Sequence, residues 1–193
     1  MNTVIKTILS RRSVRDYLSD PISEKDLETI LTAGSYAPNA MGTQSFRFTM
    51  IANQDVLLDI NERIRRTLAT LPVTDKTSPY LVSLIQKAEN GGVDFLYHAP
   101  AYVLASDLKE NPNGMADCAL ALGNMMLAAH SLGISSCWLN QLRALCDIPT
   151  MREFLSNFKI PENHKVFGSV VFGFPADIPQ EPKPRENVFN IYR

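Results

Sequence analysis

The spacing of apolar residues predicts a chain in which helices alternate with short strands. Apolar side chains recur at three- and four-residue intervals along six segments, as in helices with one buried face, and four shorter apolar runs are typical of strands. The predicted helices cover residues 3–11, 23–33, 55–68, 80–88, 113–131 and 149–158, and the predicted strands cover residues 46–52, 101–106, 134–138 and 166–172. This order indicates an α+β fold in which helices surround one central mixed or antiparallel sheet.

Cap and turn residues indicate where several of these elements end. Ser23 is a candidate N-cap for the second helix, and Gly34 stands where that helix is expected to stop. Four prolines near the C-terminus exclude a regular helix and favour an extended arm over residues 175–193; they are Pro175, Pro179, Pro182 and Pro184. Because no internal repeat or linker is visible, residues 1–193 are expected to form one domain that carries this arm.

Composition narrows the classes of partner. The formal net charge is −1 at pH 7, whereas binding to nucleic acid needs a clear cationic excess, so no nucleic-acid partner is expected. The three cysteines lack metal-ligand spacing, which predicts free, buried thiols, no metal site and a reducing compartment. No secretory signal is visible, and the apolar stretch 115–134 contains Asp117, Asn124 and His130, each costly inside a bilayer. We therefore expect a cytoplasmic protein with no membrane partner.

Two segments in the first quarter of the chain could bind a ligand. Residues 11–15 (Arg-Arg-Ser-Val-Arg) bring three guanidinium groups and a hydroxyl together, and the arginine fork matches phosphate oxygens. The alternative is a solvated basic helix end. Residues 37–44 have small side chains that let the backbone approach a planar ligand, and Asn39 and Gln44 could bond the polar edge of a heterocycle. The alternative there is a plain connecting loop.

Two later segments also have a structural and a functional interpretation. The long helix over 113–131 contains Asp117 and Asn124, which need partners in apolar surroundings, and it leads into the polar run 135–141. It is either part of a ligand site or a core helix whose polar residues bond backbone or water. Lys183 and Arg185 on the arm are either ligand-binding or simply exposed cations. No Gly-x-Gly-x-x-Gly, Walker or Gly-x-Ser-x-Gly motif occurs, so the usual dinucleotide, P-loop and hydrolase fingerprints are absent.

Together, the order and spacing of these segments resemble the nitroreductase family of FMN-dependent oxidoreductases. The resemblance covers nearly the whole chain. Its strongest parts are residues 11–15 and 37–44, and residues 127–133, 173–175 and 185 complete it. It implies a nitroreductase-like sandwich that forms a homodimer through long helices, with extended arms that wrap the partner and with FMN at the interface between the two subunits.

The resemblance implies which residues hold the FMN phosphate. Arg11, Ser13 and Arg185 match positions that bind it, with Lys183 as a companion. Arg12 matches a position near the phosphate or the ribityl chain. Because Arg11 and Arg185 come from opposite ends of the chain, the fold has to bring them to one phosphate.

Further residues are implied to surround the flavin ring. Arg15 matches a position beside its pyrimidine edge. The others are Pro38, Asn39 and Ala40 from the second subunit, Gly42 and Gln44 in the same loop, and Trp138, Leu139, Asn140 and Gln141 under the N5 side. The family often has asparagine where this chain has Gly42, so a contact at that position would come from backbone. The resemblance implies that residues 138–141 form a loop, and the family's common glycine is missing from its part Leu139, Asn140 and Gln141.

The implied reaction is hydride transfer through the flavin. FMN accepts a hydride at N5 from NADH or NADPH and, in a ping-pong cycle, returns it to a nitroaromatic, a quinone or a similar small planar acceptor. No side-chain nucleophile or general base is required, so we predict no catalytic residue beyond those that hold the cofactor. Two alternatives remain: specialised flavin chemistry on the same fold, such as dehalogenation or flavin cleavage, and a non-catalytic flavin-binding protein.

Overall fold

The computed structural model of the protein describes residues 1–179, 181, 185 and 190–193. Within them, seven α-helices and four strands form. The helices are α1 (Thr3–Ser10), α2 (Glu24–Ser35), α3 (Gln54–Ala69), α4 (Pro79–Asn90), α5 (Gly114–Ser131), α6 (Gln141–Leu145) and α7 (Pro149–Ser156). The strands are β1 (Arg47–Ile51), β2 (Ala101–Leu108), β3 (Ser135–Leu139) and β4 (His164–Gly173). A short 3₁₀ turn covers Ala40–Gly42. The predicted elements are confirmed, and α6 is an addition.

The four strands form one sheet in the order β1-β2-β4-β3. Each neighbouring pair is antiparallel, and a single parallel bridge joins Ser13 to Ser136 on the outer edge of β3. The sheet is therefore antiparallel except at that bridge, which agrees with the predicted central sheet. Strand β2 is buried over Ala101–Asp107 because both of its faces are covered.

Two apolar layers cover the faces of the sheet. On one face α3, α4, α6 and α7 pack against side chains such as Tyr102 and Leu104 of β2. On the other face α2 and α5 pack against Val103 and Ala105. Successive residues of a strand point to opposite faces, so the uninterrupted apolar run 101–105 of β2 supplies both layers at once. The long helix α5 lies against this second face.

The close contact between α2 and α5 corrects the predicted role of Gly34. Helix α2 continues to Ser35, so Gly34 lies inside the helix and not at its stop. A Cβ atom at this position would lie 2.1 Å from Cε of Met125 on α5. Gly34 therefore lets α2 and α5 approach each other closely. The glycine that predicted a helix end is explained by packing between these two helices. Beside it, Nδ2 of Asn124 donates to the carbonyl of Ala33 at 3.2 Å, which supplies the partner that this polar residue needs.

Other local signals were interpreted correctly. The Ser23 hydroxyl accepts from the backbone N–H of Asp26 at 3.1 Å, which caps the N-terminus of α2, and it donates to the Asp26 carboxylate at 2.7 Å. Gly133 follows α5 with φ of +78°, a conformation that glycine adopts without strain. The three cysteines are free and buried, as predicted.

The apolar residues of α1 are exposed. Helix α1 has one apolar face, formed by Val4, Ile5, Ile8 and Leu9, but none of its residues is buried. Beyond Gly173 the described residues contain no helix or strand, and Ile178 is also exposed. In the part of the chain that the structure describes, no helix has both the length and the apolar character that a membrane crossing requires.

Candidate flavin site

Residues 11–18 form a backbone-anchored segment that follows α1 along the outer edge of β3. The N–H of Val14 donates to the carbonyl of Ser136 at 3.2 Å, and the N–H of Leu18 donates to the carbonyl of Phe174 at 2.9 Å. The carbonyl of Asp16 accepts from the N–H of Ala176 at 3.1 Å. This arginine segment is therefore held by main-chain bonds to the sheet edge and to the residues after β4.

The arginine segment lines a cleft of about 580 Å³ together with the C-terminal arm. Arg12, Ser13 and Arg15 contribute from the segment, and Arg185 contributes from the arm. Three acidic residues also line it: Asp16, Asp177 and Glu181. The fold thus brings Arg185 to the residues near position 13, as a shared phosphate site requires. Arg11 is half-buried beside the cleft and does not line it, and Lys183 lies outside the described residues.

Unpaired hydrogen-bonding groups are concentrated in the arginine segment. Among the described residues, six buried side-chain nitrogen or oxygen atoms have no hydrogen-bond partner. Three of them belong to this segment, namely Nη1 of Arg11 and Nε and Nη2 of Arg12; the others are Oγ of Ser136, Oε1 of Gln141 and Nε of Arg152. Buried polar groups are nearly always hydrogen-bonded in folded proteins, so this concentration indicates a place that binds a polar ligand. Ser136 was not among the predicted site residues.

His130, in the last turn of α5, adjoins the arginines. Its Nε2 lies 2.7 Å from the hydroxyl of Ser10. Burial and the positive charges of Arg11 and Arg12 lower the pKa of His130 below its usual value, so the ring is neutral at pH 7. The C-terminal end of α5 therefore meets the arginine segment without adding a charge to it.

The loop at residues 38–44 is held at the other end of α5. The carboxylate of Asp117, in the first turn of α5, accepts from the N–H of Ala40 at 3.1 Å. Oδ1 of Asn39 accepts from the N–H of Gln44 at 3.0 Å, which closes the loop on itself. Between these anchors the backbone is left-handed at Met41 (φ 54°) and Gly42 (φ 66°), and again at Gln44. Side-chain bonds thus hold this loop, whose exposed outer residues include Pro38 and Gln44.

The two groups of predicted residues are far apart within one chain. Asp117 contacts the loop, and His130, thirteen positions further along α5, contacts Ser10, the residue immediately before the arginine segment. At 1.5 Å per residue this is about 20 Å along the helix axis. One chain therefore places its arginine segment and its 38–44 loop at opposite ends of the same helix.

The segment 138–141 is a junction between two elements and not the predicted loop. Trp138 and the buried Leu139 end β3, and Gln141 begins α6. Asn140 lies between them at the N-cap position, where Nε1 of Trp138 donates to its Oδ1 at 2.7 Å. The parallel bridge from Ser13 to Ser136 places this junction on the same strand edge as the arginine segment.

A sequence model of the nitroreductase family matches residues 8–174 of this chain. The chain belongs to the nitroreductase family. A crystal structure of a nitroreductase with bound FMN from Bacteroides fragilis superimposes with a TM-score of 0.91 at 38% identity, covering all of both chains. A protein of Archaeoglobus fulgidus with the provisional name NADH dehydrogenase/NAD(P)H nitroreductase is 31% identical over 181 residues, which are 92% of this chain and 88% of that one. An FMN reductase [NAD(P)H] of Bacillus subtilis is 26% identical over 179 residues, which are 92% of this chain and 68% of that one.

Membership of the nitroreductase family confirms the resemblance and the predicted fold. The superposition extends over the whole chain, so the α+β sandwich with a four-stranded antiparallel sheet is the family's fold.

Proposed function

We propose that this protein is an FMN-dependent NAD(P)H oxidoreductase that acts as a homodimer on small planar acceptors such as nitroaromatics and quinones. The observation that carries the proposal is the cleft lined by Arg12, Ser13, Arg15 and Arg185, beside which three buried nitrogen atoms of Arg11 and Arg12 have no hydrogen-bond partner among the described residues. The FMN bound to the Bacteroides fragilis relative and the FMN reductase activity named for the Bacillus subtilis relative support it. Residues 1–193 form one FMN-binding domain in this proposal.

The donors of the cleft fit a single terminal phosphate. Arg12 and Arg185 provide guanidinium groups and Ser13 provides a hydroxyl, and bonds from a cation to a phosphate are the strongest class of hydrogen bond in proteins. Arg11 adjoins them with a buried and unpaired Nη1. One phosphate is the number that FMN carries, and the sequence has no motif for a dinucleotide pyrophosphate. The fit therefore favours FMN over FAD.

A second copy of the chain completes the site in this proposal. The arginine segment and the 38–44 loop lie at opposite ends of α5, so they reach one flavin when each subunit provides one of them. The exposed apolar face of α1 supplies surface for such an interface. Light scattering is expected to give the mass of a dimer for the flavin-bound protein at micromolar concentration, and a stable flavin-bound monomer would contradict this part of the proposal.

The chain's own residues bind and orient in the proposed reaction. When bound, FMN supplies the redox chemistry by accepting a hydride from NADH or NADPH and passing it to the acceptor. Arg15 provides a fixed positive charge at the cleft, where it would stabilise negative charge that develops on the ring. Burial raises the pKa of the Cys137 thiol, so that group stays protonated and does not act as a nucleophile. The three buried, free thiols are compatible with a cytoplasmic setting.

Anaerobic mixing tests the proposal. The purified protein, loaded with FMN, is expected to show the visible absorption of an oxidised flavin and to bleach on addition of NADH or NADPH. Mass spectrometry of the released cofactor is expected to identify FMN. Subsequent addition of a nitroaromatic or a quinone is expected to restore the colour. Binding of FAD instead, or failure of both nicotinamides to bleach the flavin, would contradict the proposal, and reoxidation by a halogenated phenol alone would favour the dehalogenation alternative.

A further inference from the structure

Helices α3 and α7 enclose a second cleft, which the proposed function does not use. This α3–α7 cleft has a volume of about 380 Å³, and its lining comes from α3, from Thr70 just after it, and from the first turn of α7. It shares no lining residue with the cleft of the arginine segment. A ligand bound here would therefore be additional to the flavin.

The acidic residues of the α3–α7 cleft hold its arginines in place. Nε of Arg63 donates to the carboxylate of Asp59 at 3.2 Å, and the guanidinium lies 4.3 Å from the ring centroid of Phe154 on α7. Nε of Arg66 donates to the carboxylate of Glu62 at 2.5 Å. The terminal guanidinium nitrogens of both arginines make no hydrogen bond to another described residue. Each carboxylate thus orients an arginine through Nε and leaves the terminal nitrogens as donors.

Thr67 provides a hydroxyl that the protein does not use. The residue lines the α3–α7 cleft and is only 8% exposed. The hydroxyls of three other helical threonines, Thr7, Thr29 and Thr32, donate to the carbonyl four residues before them, whereas that of Thr67 has no partner among the described residues. It is not one of the fully enclosed unpaired atoms, so it faces the cleft. Because hydroxyls of buried residues are ordinarily hydrogen-bonded, this one indicates a ligand that accepts.

The first turn of α7 opens on the same cleft with free backbone donors. The residue before the helix is Ile148, so no side chain caps it, and Pro149 has no N–H. The first backbone bond of the helix comes from the N–H of Arg152. The N–H groups of Thr150 and of the buried Met151 have no partner among the described residues, and both residues line the cleft. The positive end of a helix with free N–H groups favours an anion.

The end of α3 does not cancel this preference. The last carbonyls of a helix repel an anion when they are unpaired. Here the carbonyl of Thr67 accepts from both the N–H and the hydroxyl of Thr70, and the carbonyl of Leu68 accepts from the N–H of Leu71. These carbonyls are therefore paired within the chain, and the groups left for a ligand are donors.

We propose that the α3–α7 cleft binds the phosphate group of a small phosphorylated molecule. The donors that line it are two guanidinium groups, two hydroxyls and two backbone N–H groups, from Arg63, Arg66, Thr67, Thr150 and Met151. The three terminal oxygens of a phosphate can accept this many bonds, whereas a carboxylate has two oxygens. The volume of the cleft leaves room for the organic part of the molecule. The site is separate from the flavin cleft, so the proposal does not depend on the proposed function.

Calorimetric titration of the FMN-loaded protein with inorganic phosphate tests the site. Bound FMN keeps the probe out of the arginine-segment cleft, and the ionic strength is held constant. We expect saturable binding of one phosphate per chain in the millimolar range, and no saturable binding of acetate in the same range. Absence of saturable phosphate binding would overturn the proposal, and acetate binding as tight as phosphate would overturn the choice of phosphate.

A matched pair of arginine variants locates the site. Arg65 and Arg66 both lie on α3 and both bond to Glu62, but only Arg66 lines the α3–α7 cleft. Arg66→Gln is expected to weaken phosphate binding at least about tenfold, since it removes a charge-assisted donor. Arg65→Gln removes the same charge from the same helix and is expected to stay within about twofold of wild type. An equal loss in the two variants would show a general effect of charge and would overturn the proposal.

Thr67→Val tests the unpaired hydroxyl. It removes the donor and keeps a branched side chain, and it is expected to weaken phosphate binding about three- to tenfold. Thr29→Val is the control, because it removes a hydroxyl that already bonds to a carbonyl within α2. Wild-type affinity in Thr67→Val would overturn the place of Thr67 in the site. Thermal unfolding accompanies each titration, and if Thr67→Val does not fold, the Arg65 and Arg66 pair still decides.

Failure of this proposal and failure of the proposed function are distinguishable. If the protein binds FMN and is reduced by NAD(P)H but takes up no phosphate, only the phosphate site is wrong. If the protein takes up no FMN, the proposed function is wrong. The variants then still show where phosphate binds, because Arg66 and Thr67 lie outside the arginine-segment cleft.

Discussion

The segments that lie beside the two ends of α5 are held in place by different kinds of bond. At the C-terminal end, the arginine segment is anchored by main-chain bonds to Ser136, Phe174 and Ala176, so its side chains are free to serve a ligand. At the N-terminal end, the 38–44 loop depends on the side chains of Asp117 and Asn39. The difference teaches that a single substitution can release the second loop but not the first. A substitution in the arginine segment can therefore change ligand binding without changing stability, whereas a substitution that releases the 38–44 loop is expected to change both.

The arginine end offers the largest expected effect. A charge-assisted hydrogen bond contributes about 1.5–3 kcal/mol, so Arg11→Ala is expected to weaken FMN binding roughly 10- to 150-fold, and Arg185→Ala likewise. Because the two residues would share one phosphate, their effects should be non-additive by about 0.5 kcal/mol or more. Titration of apoprotein with FMN for the wild type, both single variants and the double variant measures this.

Both arginine variants are expected to fold normally. Backbone bonds anchor the segment that carries Arg11, and Arg185 is exposed, so each variant should keep the wild-type free energy of unfolding within about 0.5 kcal/mol. If both bind FMN within about twofold of wild type, the phosphate assignment is wrong. If they lose affinity only because they unfold, the separation of binding from stability at this end is wrong.

At the 38–44 loop, a single substitution is expected to reduce both the stability of the protein and its binding of FMN. Asp117→Ala leaves the N–H of Ala40 without its acceptor and also removes a bond to Nδ2 of Asn111. An unsatisfied buried group costs about 1–3 kcal/mol, and each kcal/mol lowers the Tm by roughly 2–4 °C at this chain length. We expect a lower Tm, faster proteolysis at the 38–44 loop and weaker FMN binding. Asp147→Ala, which removes an exposed ion pair with Lys165, is the control that should change little.

The smallest expected effect is a pH dependence at the arginine end. Burial and the neighbouring arginines lower the pKa of His130, so at pH below the unfolded value of about 6.5 the unfolded chain binds more protons than the folded one. Stability contributed by the neutral ring is therefore fully present above the unfolded pKa of about 6.5, and it is lost as the pH falls from there through the lower pKa of the folded state. Unfolding of wild type and His130→Gln at pH 7.5 and 5.5 measures the effect.

The variant His130→Gln should lose less stability on acidification than wild type. A remainder will persist in both, because burial also lowers the pKa of His164. An equal loss of stability in wild type and variant would show that His130 does not contribute, and the C-terminal end of α5 would then be insensitive to pH in this range.

The sequence predicted the elements well because their signals are local. The Ser23 cap, the apolar runs of the strands and the stop at Gly133 all depend on a few neighbouring residues. The helix end predicted at Gly34 was wrong, because the small size of this residue makes room for α5, which lies far away in the sequence. Helix α6 was missed because its five residues are too few to show a helical period. Ser136 was missed because nothing in a strand of this composition indicates an unpaired hydroxyl.

Within the candidate site, residue types were easier to anticipate than arrangement. The run at 11–15 and the distant Arg185 were identified together, and the fold brings Arg185 to Arg12, Ser13 and Arg15. The direction of the Asn140 carboxamide depends on the geometry of a strand end and a tryptophan ring, which no spacing along the chain reveals.

The bridge between Ser13 and Ser136 has a further consequence for the chain as a whole. Strand β3 is an edge of the sheet, and an open edge invites strands of other chains to pair with it. The arginine segment occupies part of that edge and brings three cationic side chains to it, and repulsion between like charges opposes the approach of a second copy in that orientation. The residues proposed to hold the cofactor thus also oppose edge-to-edge pairing of this sheet with another chain. A substitution in this segment that alters ligand binding is therefore expected to alter the tendency of the protein to aggregate as well.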